Sequence, residues 1–232
     1  MSAAYDAPQV PADQRAPLPA LQQGAGYVLP QAHGGAGFPL EAGETLYHQG
    51  DAALGSYVVT SGLLALSLDG AGGRGRLVDL AGPGDVVGAL SASQERYLDT
   101  ASALGQDVRI VAMSEEARAG LAGREVLDRA AASRLERLTE QLQDADVPVA
   151  VRVAKVFNRL ASRFGQEVQG GMVRLTLPLT HDTLAGLVGA ARETTSSAVA
   201  QLRALGLIAG TRGRYLVLPQ ALRAYAEDGP AN

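Results

Sequence analysis

The chain contains no cysteine. That single absence excludes disulfides, thiolate catalysis, iron–sulfur clusters and Cys-ligated zinc together. Histidine is scarce too, and His33, His48 and His181 lie too far apart in sequence to form a ligand pattern, so neither a metal nor another cofactor is expected. No apolar run approaches the roughly 18 residues that a membrane span requires. The N-terminal MSAAYDAPQVPADQRAPLP lacks both the basic start and the continuous apolar stretch of a signal peptide, which leads to the expectation of a cytoplasmic protein with no membrane partner. Lysine is nearly absent: 19 of the 20 basic residues are Arg, a bias typical of GC-rich genomes.

Catalytic signatures are missing as well. There is no nucleophile elbow, no metal-ligand cluster and no phosphate loop, so no catalytic residue is assigned and an enzyme built on a β-barrel has little support. DGAGGRGR at 69–76 has the glycine content of a phosphate loop. It lacks the Gly-Lys-Ser/Thr ending and sits between two strand-like runs, which makes a hairpin the better account.

What remains is a globular chain of 232 residues, 47% hydrophobic and 19% charged, long enough for two modest domains with real cores. Its charge is divided unevenly. Residues 1–148 carry ten Arg and nineteen acids, a balance of −9, whereas residues 149–232 carry ten basic residues and five acids, a balance of +5. The C-terminal third is therefore the candidate polyanion binder.

Residues 1–38, rich in Pro, Ala, Gly and Gln, show neither helical nor strand periodicity and are expected to be largely disordered. From 39 to 113 short β-like runs such as ETLYHQGD, SYVVTSG, LLALSLDG and VRIVAM alternate with turn residues, the spacing of a sandwich or barrel. A long helix is predicted over 114–147, started by Ser114, Glu115 and Glu116 and ended by Pro148. Ala131, Leu135, Leu138, Leu142 and Ala145 recur at coiled-coil spacing and mark a dimer interface, with Arg134, Glu136, Arg137 and Glu140 left outside. The alternative use of this stripe is packing against the chain's own β domain.

Residues 148–232 read as a winged helix-turn-helix. VAVRVAKVFNRLASRFG is an amphipathic helix closed by Gly165, and MVRLTLPLT is extended. Thr180 caps HDTLAGLVG, which Gly189 terminates. AARETTSSAVAQLRALG follows with Val199, Leu202 and Leu205 at helical spacing, and LIAGTRGRYLVL forms a hairpin or wing. Four hydroxyl residues at the start of a helix make sense if that end enters a major groove, where polar side chains meet bases and phosphates while later residues pack on the domain. Arg192 can reach guanine O6 and N7, Glu193 can accept from cytosine N4, and Thr194, Ser196 and Ser197 can bond phosphates or bases. Thr195, in phase with Val199, is predicted to pack inward. Thr180 joins the DNA-facing set, and Arg212 and Arg214 on the wing would meet flanking phosphates.

The stretch LTHDTLAGLVGAARETTSSAVAQLRALGLI, together with GETLYHQGD, YVVTSGLLALSL and GPGDVVGAL, resembles the family of catabolite activator and fumarate–nitrate regulators from about Glu41 to Leu218. The resemblance implies an α+β chain with a cyclic-nucleotide-binding-like β roll (jelly roll), a long dimerisation helix and a winged helix-turn-helix. It further implies a homodimeric transcription regulator, more often an activator, that binds a pseudo-palindrome in double-stranded DNA and contacts RNA polymerase. Arg192 and Glu193 match the pair that reads guanine and cytosine in a TGTGA-like half-site, but Ser197 stands where a second Arg is expected, so one position would be read differently.

The effector pocket departs further from the family's pattern. Members that bind cyclic AMP carry a Gly-Glu-Leu turn for the ribose and an Arg-Ser/Thr-Ala segment for the phosphate; the matching residues here are Gly88, Ala89 and Leu90, then Asp99, Thr100 and Ala101. Ala89 cannot accept the ribose hydroxyl, and Asp99 would set a negative charge beside a phosphate. Cyclic AMP in the usual mode is therefore not expected unless Arg96 swings in. Two readings follow: a regulator that needs no small effector, and one whose roll senses a different metabolite.

Overall fold

The computed structural model describes residues 37–70, 75–91, 93–211 and 213–228. Most of the stretch predicted to be disordered lies outside these residues, and Phe38 at its end already belongs to a strand. Between Leu138 and Thr139 the chain divides into two compact units.

In the first unit, β1 (Phe38–Leu40), β8 (Val108–Ala112), β3 (Ser56–Ser61) and β6 (Val86–Gly88) form one antiparallel sheet in that order. A second antiparallel sheet runs β2 (Thr45–Tyr47), β7 (Thr100–Ala103), β4 (Leu64–Asp69) and β5 (Gly75–Ala81). Side chains from both sheets, among them Leu46, Tyr57, Val59, Leu64, Leu66 and Ile110, meet in a single core. The spacing of short apolar runs predicts a sandwich or barrel, and these two packed sheets form the β roll that the family resemblance implies. β4 and β5 pair as far as Asp69 opposite Gly75, as a hairpin across 69–76 requires. Leu66 faces Asp79 while Ser67 faces Leu77, so Val78 is an extra residue in β5, and such bulges re-aim the side chains beside them.

The predicted single helix over 114–147 is two helices. Ser114 caps α1 (Glu115–Ala119) by accepting the Ala117 N–H at 3.1 Å, but Gly120 adopts an extended backbone and interrupts the run before α2 (Leu121–Gln143). Beyond α2 the backbone tightens into a 3₁₀ turn over Asp144–Asp146, which takes Ala145 off the expected helical stripe. The stripe itself divides: Leu138 packs partly against the roll's core, while Leu135 and Leu142 are 66% and 74% exposed. Arg134 and Arg137, predicted to lie outside, are instead turned inward, their side chains only 15% and 19% exposed.

The second unit is built around α3 (Val149–Phe164), whose Val153, Ala154, Val156, Phe157 and Leu160 are buried. Phe157 meets Tyr215 edge to face at 5.0 Å between ring centres. α4 (His181–Val188) and α5 (Arg192–Ala204) lie against α3. The wing is part of a larger sheet than the two-strand hairpin predicted: β11 (Ile208–Thr211), β12 (Arg214–Val217), β10 (Val173–Thr176) and β9 (Gln166–Glu167) pair in that order. α6 (Pro219–Asp228), to which the periodicity reading assigns no element, packs on α3 and buries Leu222 and Tyr225.

Candidate nucleic-acid interface

Three local devices set the angle between α4 and α5. The Thr180 hydroxyl accepts the Thr183 N–H at 3.0 Å and so caps α4. Gly189 ends the helix in the left-handed conformation (φ 68°, ψ 40°), which a side chain would disfavour. Arg152, reaching from α3, donates one guanidinium N–H group to the carbonyls of Val188 and Gly189 at 3.1 and 3.3 Å, satisfying the free carbonyls of that helix end.

With the turn fixed, α5 divides its residues as the sequence predicts. Thr195, Ala198, Val199 and Leu202 are buried, whereas Arg192, Glu193, Thr194 and Ser197 are exposed. Arg192 is 61% exposed and held only loosely, with Nε 3.5 Å from Asp182 Oδ1, so its fork is available to a ligand. Ser197 donates to the Glu193 carbonyl at 3.0 Å. Ser196 is half-buried, and its Oγ lies 2.7 Å from Nδ1 of His181 on α4, so this hydroxyl serves the helix-to-helix joint rather than standing free. Leu205, predicted to continue the apolar face, falls just past the helix and is 54% exposed. Arg214 is exposed at the start of β12, opposite Thr211; Arg212 lies outside the described residues. Arg203 braces the wing by donating Nε–H to the Gly210 carbonyl at 3.0 Å.

In the other unit the residues that match an effector pocket are occupied by the protein itself. Gly88 has φ +93°, and a Cβ there would come within 2.6 Å of the Gly55 carbonyl oxygen, so only glycine fits this turn. Its N–H donates to the Tyr47 hydroxyl at 3.0 Å. Ala89 is 1% exposed. Thr100 Oγ1 accepts the Gln49 N–H at 3.0 Å. Tyr47 stacks on Tyr97 at 4.0 Å and lies 6.3 Å from Tyr57, and burial pushes the Tyr47 and Tyr57 phenols well above their usual range. Asp99, 2% exposed, forms an ion pair with Arg134 of α2, while Asp79 Oδ2 accepts from Arg137 Nε at 2.7 Å and its Oδ1 accepts the Leu80 N–H at 2.8 Å. Burial lowers the Arg134 guanidinium pKa from its ordinary value. Arg96 does not swing inward: it is exposed and donates to the Gly50 carbonyl at 2.6 Å.

Residues 38–124 match the family described as a cyclic nucleotide-binding domain, and residues 151–225 match the Crp-like helix-turn-helix domain. A CRP-like cAMP-activated global transcriptional regulator from Mycobacterium tuberculosis is 36% identical over 174 residues, covering 72% of this chain and 76% of that protein. The chain belongs to the CRP/FNR family. The cyclic AMP receptor protein of Thermus thermophilus is 28% identical over 167 residues, with the same coverage of both chains. Among solved structures, FixK2 from Bradyrhizobium japonicum superposes with a TM-score of 0.68 at 24% identity, covering 81% of this chain and 94% of its own. A CRP/FNR-family transcriptional regulator from Thermus thermophilus gives 0.61 at 28% identity, covering 82% and 97%.

As a CRP/FNR regulator the chain is a transcription factor with a DNA-binding helix-turn-helix, in a family of regulators rather than enzymes. Among the described residues no helix is long and apolar enough to cross a membrane, and no group of His, Asp or Glu converges as a metal site. Sequence reasoning misses three groups of this family member. His181 carries no ligand pattern with the other histidines, although its spacing from Ser196 spans the helix-turn-helix. Arg134 and Arg137 fall on the solvent side of the pattern because heptad spacing carries no information about acids on distant strands. Asp144, 8% exposed at its side chain, pairs with Lys155 at 2.5 Å and Arg159 at 3.2 Å and ties the end of the long helix to α3.

Proposed function

We propose that the protein is a cytoplasmic homodimer that reads a pseudo-palindromic duplex with two α5 helices about 34 Å apart and activates transcription together with RNA polymerase, without needing cyclic AMP. Thr180, Arg192, Glu193, Thr194, Ser197, Arg212 and Arg214 are the DNA-facing set, with Arg192 and Glu193 reading bases and Ser196 supporting the helix joint. Leu135 and Leu142 of α2 give the second copy an apolar stripe, which their exposure supports.

The observation that carries effector independence is the buried Asp99–Arg134 pair. A nucleotide phosphate entering there would meet a carboxylate and would have to break that pair, reversing the attraction on which anion binding depends. The cyclic-nucleotide-domain match and the names of the cAMP-responsive relatives favour a second reading, a roll that takes a different small molecule.

Selection of bound duplexes from a random pool, with no ligand added, tests the first reading. An inverted-repeat consensus is the expected result; recovery of a consensus only after a metabolite is supplied supports the second. A thermal-shift panel identifies such a metabolite, since a ligand at 100 times its Kd adds about 2.7 kcal/mol.

A further inference from the structure

We propose that the Asp99–Arg134 and Asp79–Arg137 pairs act as a resident effector: carboxylates supplied by the chain itself hold the rotational setting of α2 that leaves Leu135 outward for a second copy. The inference deepens the homodimer reading above and rests on it for its consequence, though not for its geometry.

Asp79 on β5 and Ala101 on β7 flank the same residue of β4, Leu66, and Asp99 lies two residues before Ala101, so Asp79 stands on one side of the central strand and Asp99 just ahead of the strand on its other side. Arg134 and Arg137 are three residues apart on α2, hence on one face of one turn. Arg134 pairs with Asp99 and also feels Asp79 and Tyr47, while Arg137 pairs with Asp79 and donates to Ser133 at 2.5 Å, which holds its side chain along the helix. Leu138, on the same face, packs against the roll's core.

Two guanidinium groups with fixed partners constrain rotation more sharply than an apolar contact, because a slip of one residue would carry both cations away from both acids and leave buried charges unpaired. Apolar side chains tolerate such slips far better. At 3.6 residues per turn, Leu135 lies about 100° round the helix from Arg134 and about 160° from Arg137. Fixing the inward face therefore fixes the direction of Leu135. No external anion is needed, because the charge that would hold the arginines is part of the fold.

The test uses the full-length protein and two independent readouts. Amide hydrogen exchange across residues 126–138 reports the setting of α2 without reference to DNA, and sedimentation equilibrium reports the dimer. Asp99→Asn and Asp79→Asn keep the shape and remove the charge; each is expected to speed exchange in that segment by about tenfold and to weaken dimerisation. Asp99→Ala opens a space beside Arg134, and acetate at fixed ionic strength is expected to restore protection where chloride does not. Unchanged exchange in both Asn variants overturns the proposal, and so does Asp99→Ala that is equally indifferent to acetate and chloride. If Asp99→Asn does not fold, Asp79→Asn reads the same device from the second pair. A wild-type protein that is monomeric or ignores DNA, yet shows the exchange and acetate responses, retains the resident anion and loses the dimeric-regulator reading instead.

Discussion

His181 and Ser196 join the two helices of the DNA reader: the imidazole Nδ1 of one lies 2.7 Å from the hydroxyl of the other. The contact is half-buried and spans the turn, so it acts on the angle at which α5 is presented. Ser196→Ala is expected to lower the stability of the reader unit by about 1 kcal/mol, the usual net value of one such bond. Denaturant unfolding followed by circular dichroism measures it. A neutral result would show that Thr180, Gly189 and Arg152 fix the turn without help.

Arg192 is exposed and only loosely tied to Asp182. Arg192→Ala should weaken binding to the selected site by roughly 1 to 3 kcal/mol while barely changing weak binding to unrelated duplexes. Competitive titration against both duplexes separates the outcomes, since an equal loss on each would assign Arg192 to phosphate rather than to guanine.

Arg214 is exposed at the start of β12 on the wing, the position proposed to meet the phosphate backbone. Arg214→Ala should reduce affinity on every sequence and flatten the plot of log K against log salt by about one unit. A slope identical to wild type would take the wing off the DNA.

Leu135 and Leu142 are large apolar side chains left in water by the single chain. Burial of such a side chain is worth about 1.5 to 3 kcal/mol, and a dimer gains it twice at each position. Leu135→Glu is therefore expected to shift sedimentation from dimer to monomer with little effect on circular dichroism. A monomeric wild type would assign these residues to some other surface.

The Tyr47 and Tyr57 phenols are held neutral by burial, with pKa values raised in the folded chain. An unfolded tyrosine ionises near about pH 10, so the unfolded state gains free energy from releasing protons above that pH while the folded state does not. The stability these groups contribute is present below about pH 10 and is lost as pH rises beyond it. Unfolding of the roll, followed at 295 nm as tyrosinate appears, should be cooperative at alkaline pH; gradual ionisation of all seven tyrosines without unfolding would contradict this.

Much of the second unit was legible because its determinants are local. Thr180 before α4, Gly189 after it and Thr195 in phase with Val199 are instructions carried within a few residues, where capping geometry and helical periodicity apply directly. The same logic failed where local rules compete. Gly120 interrupts the long helix near its start, and a 3₁₀ turn over Asp144–Asp146 replaces its last residues.

The sequence by itself determined a β unit of sandwich or barrel type, a long helical stretch and a winged reader, while the β roll and the place of Asp99 in it came through the family resemblance. Tertiary structure alone decided the partners. Heptad spacing sent Arg134 and Arg137 to the solvent, and only the folded sheets brought Asp99 and Asp79 from positions 35 and 58 residues earlier to meet them. Periodicity reports which residues share a face of one element; charge pairing across elements depends on strand register, a bulge at Val78 and the crossing of a helix, none of which a linear pattern encodes.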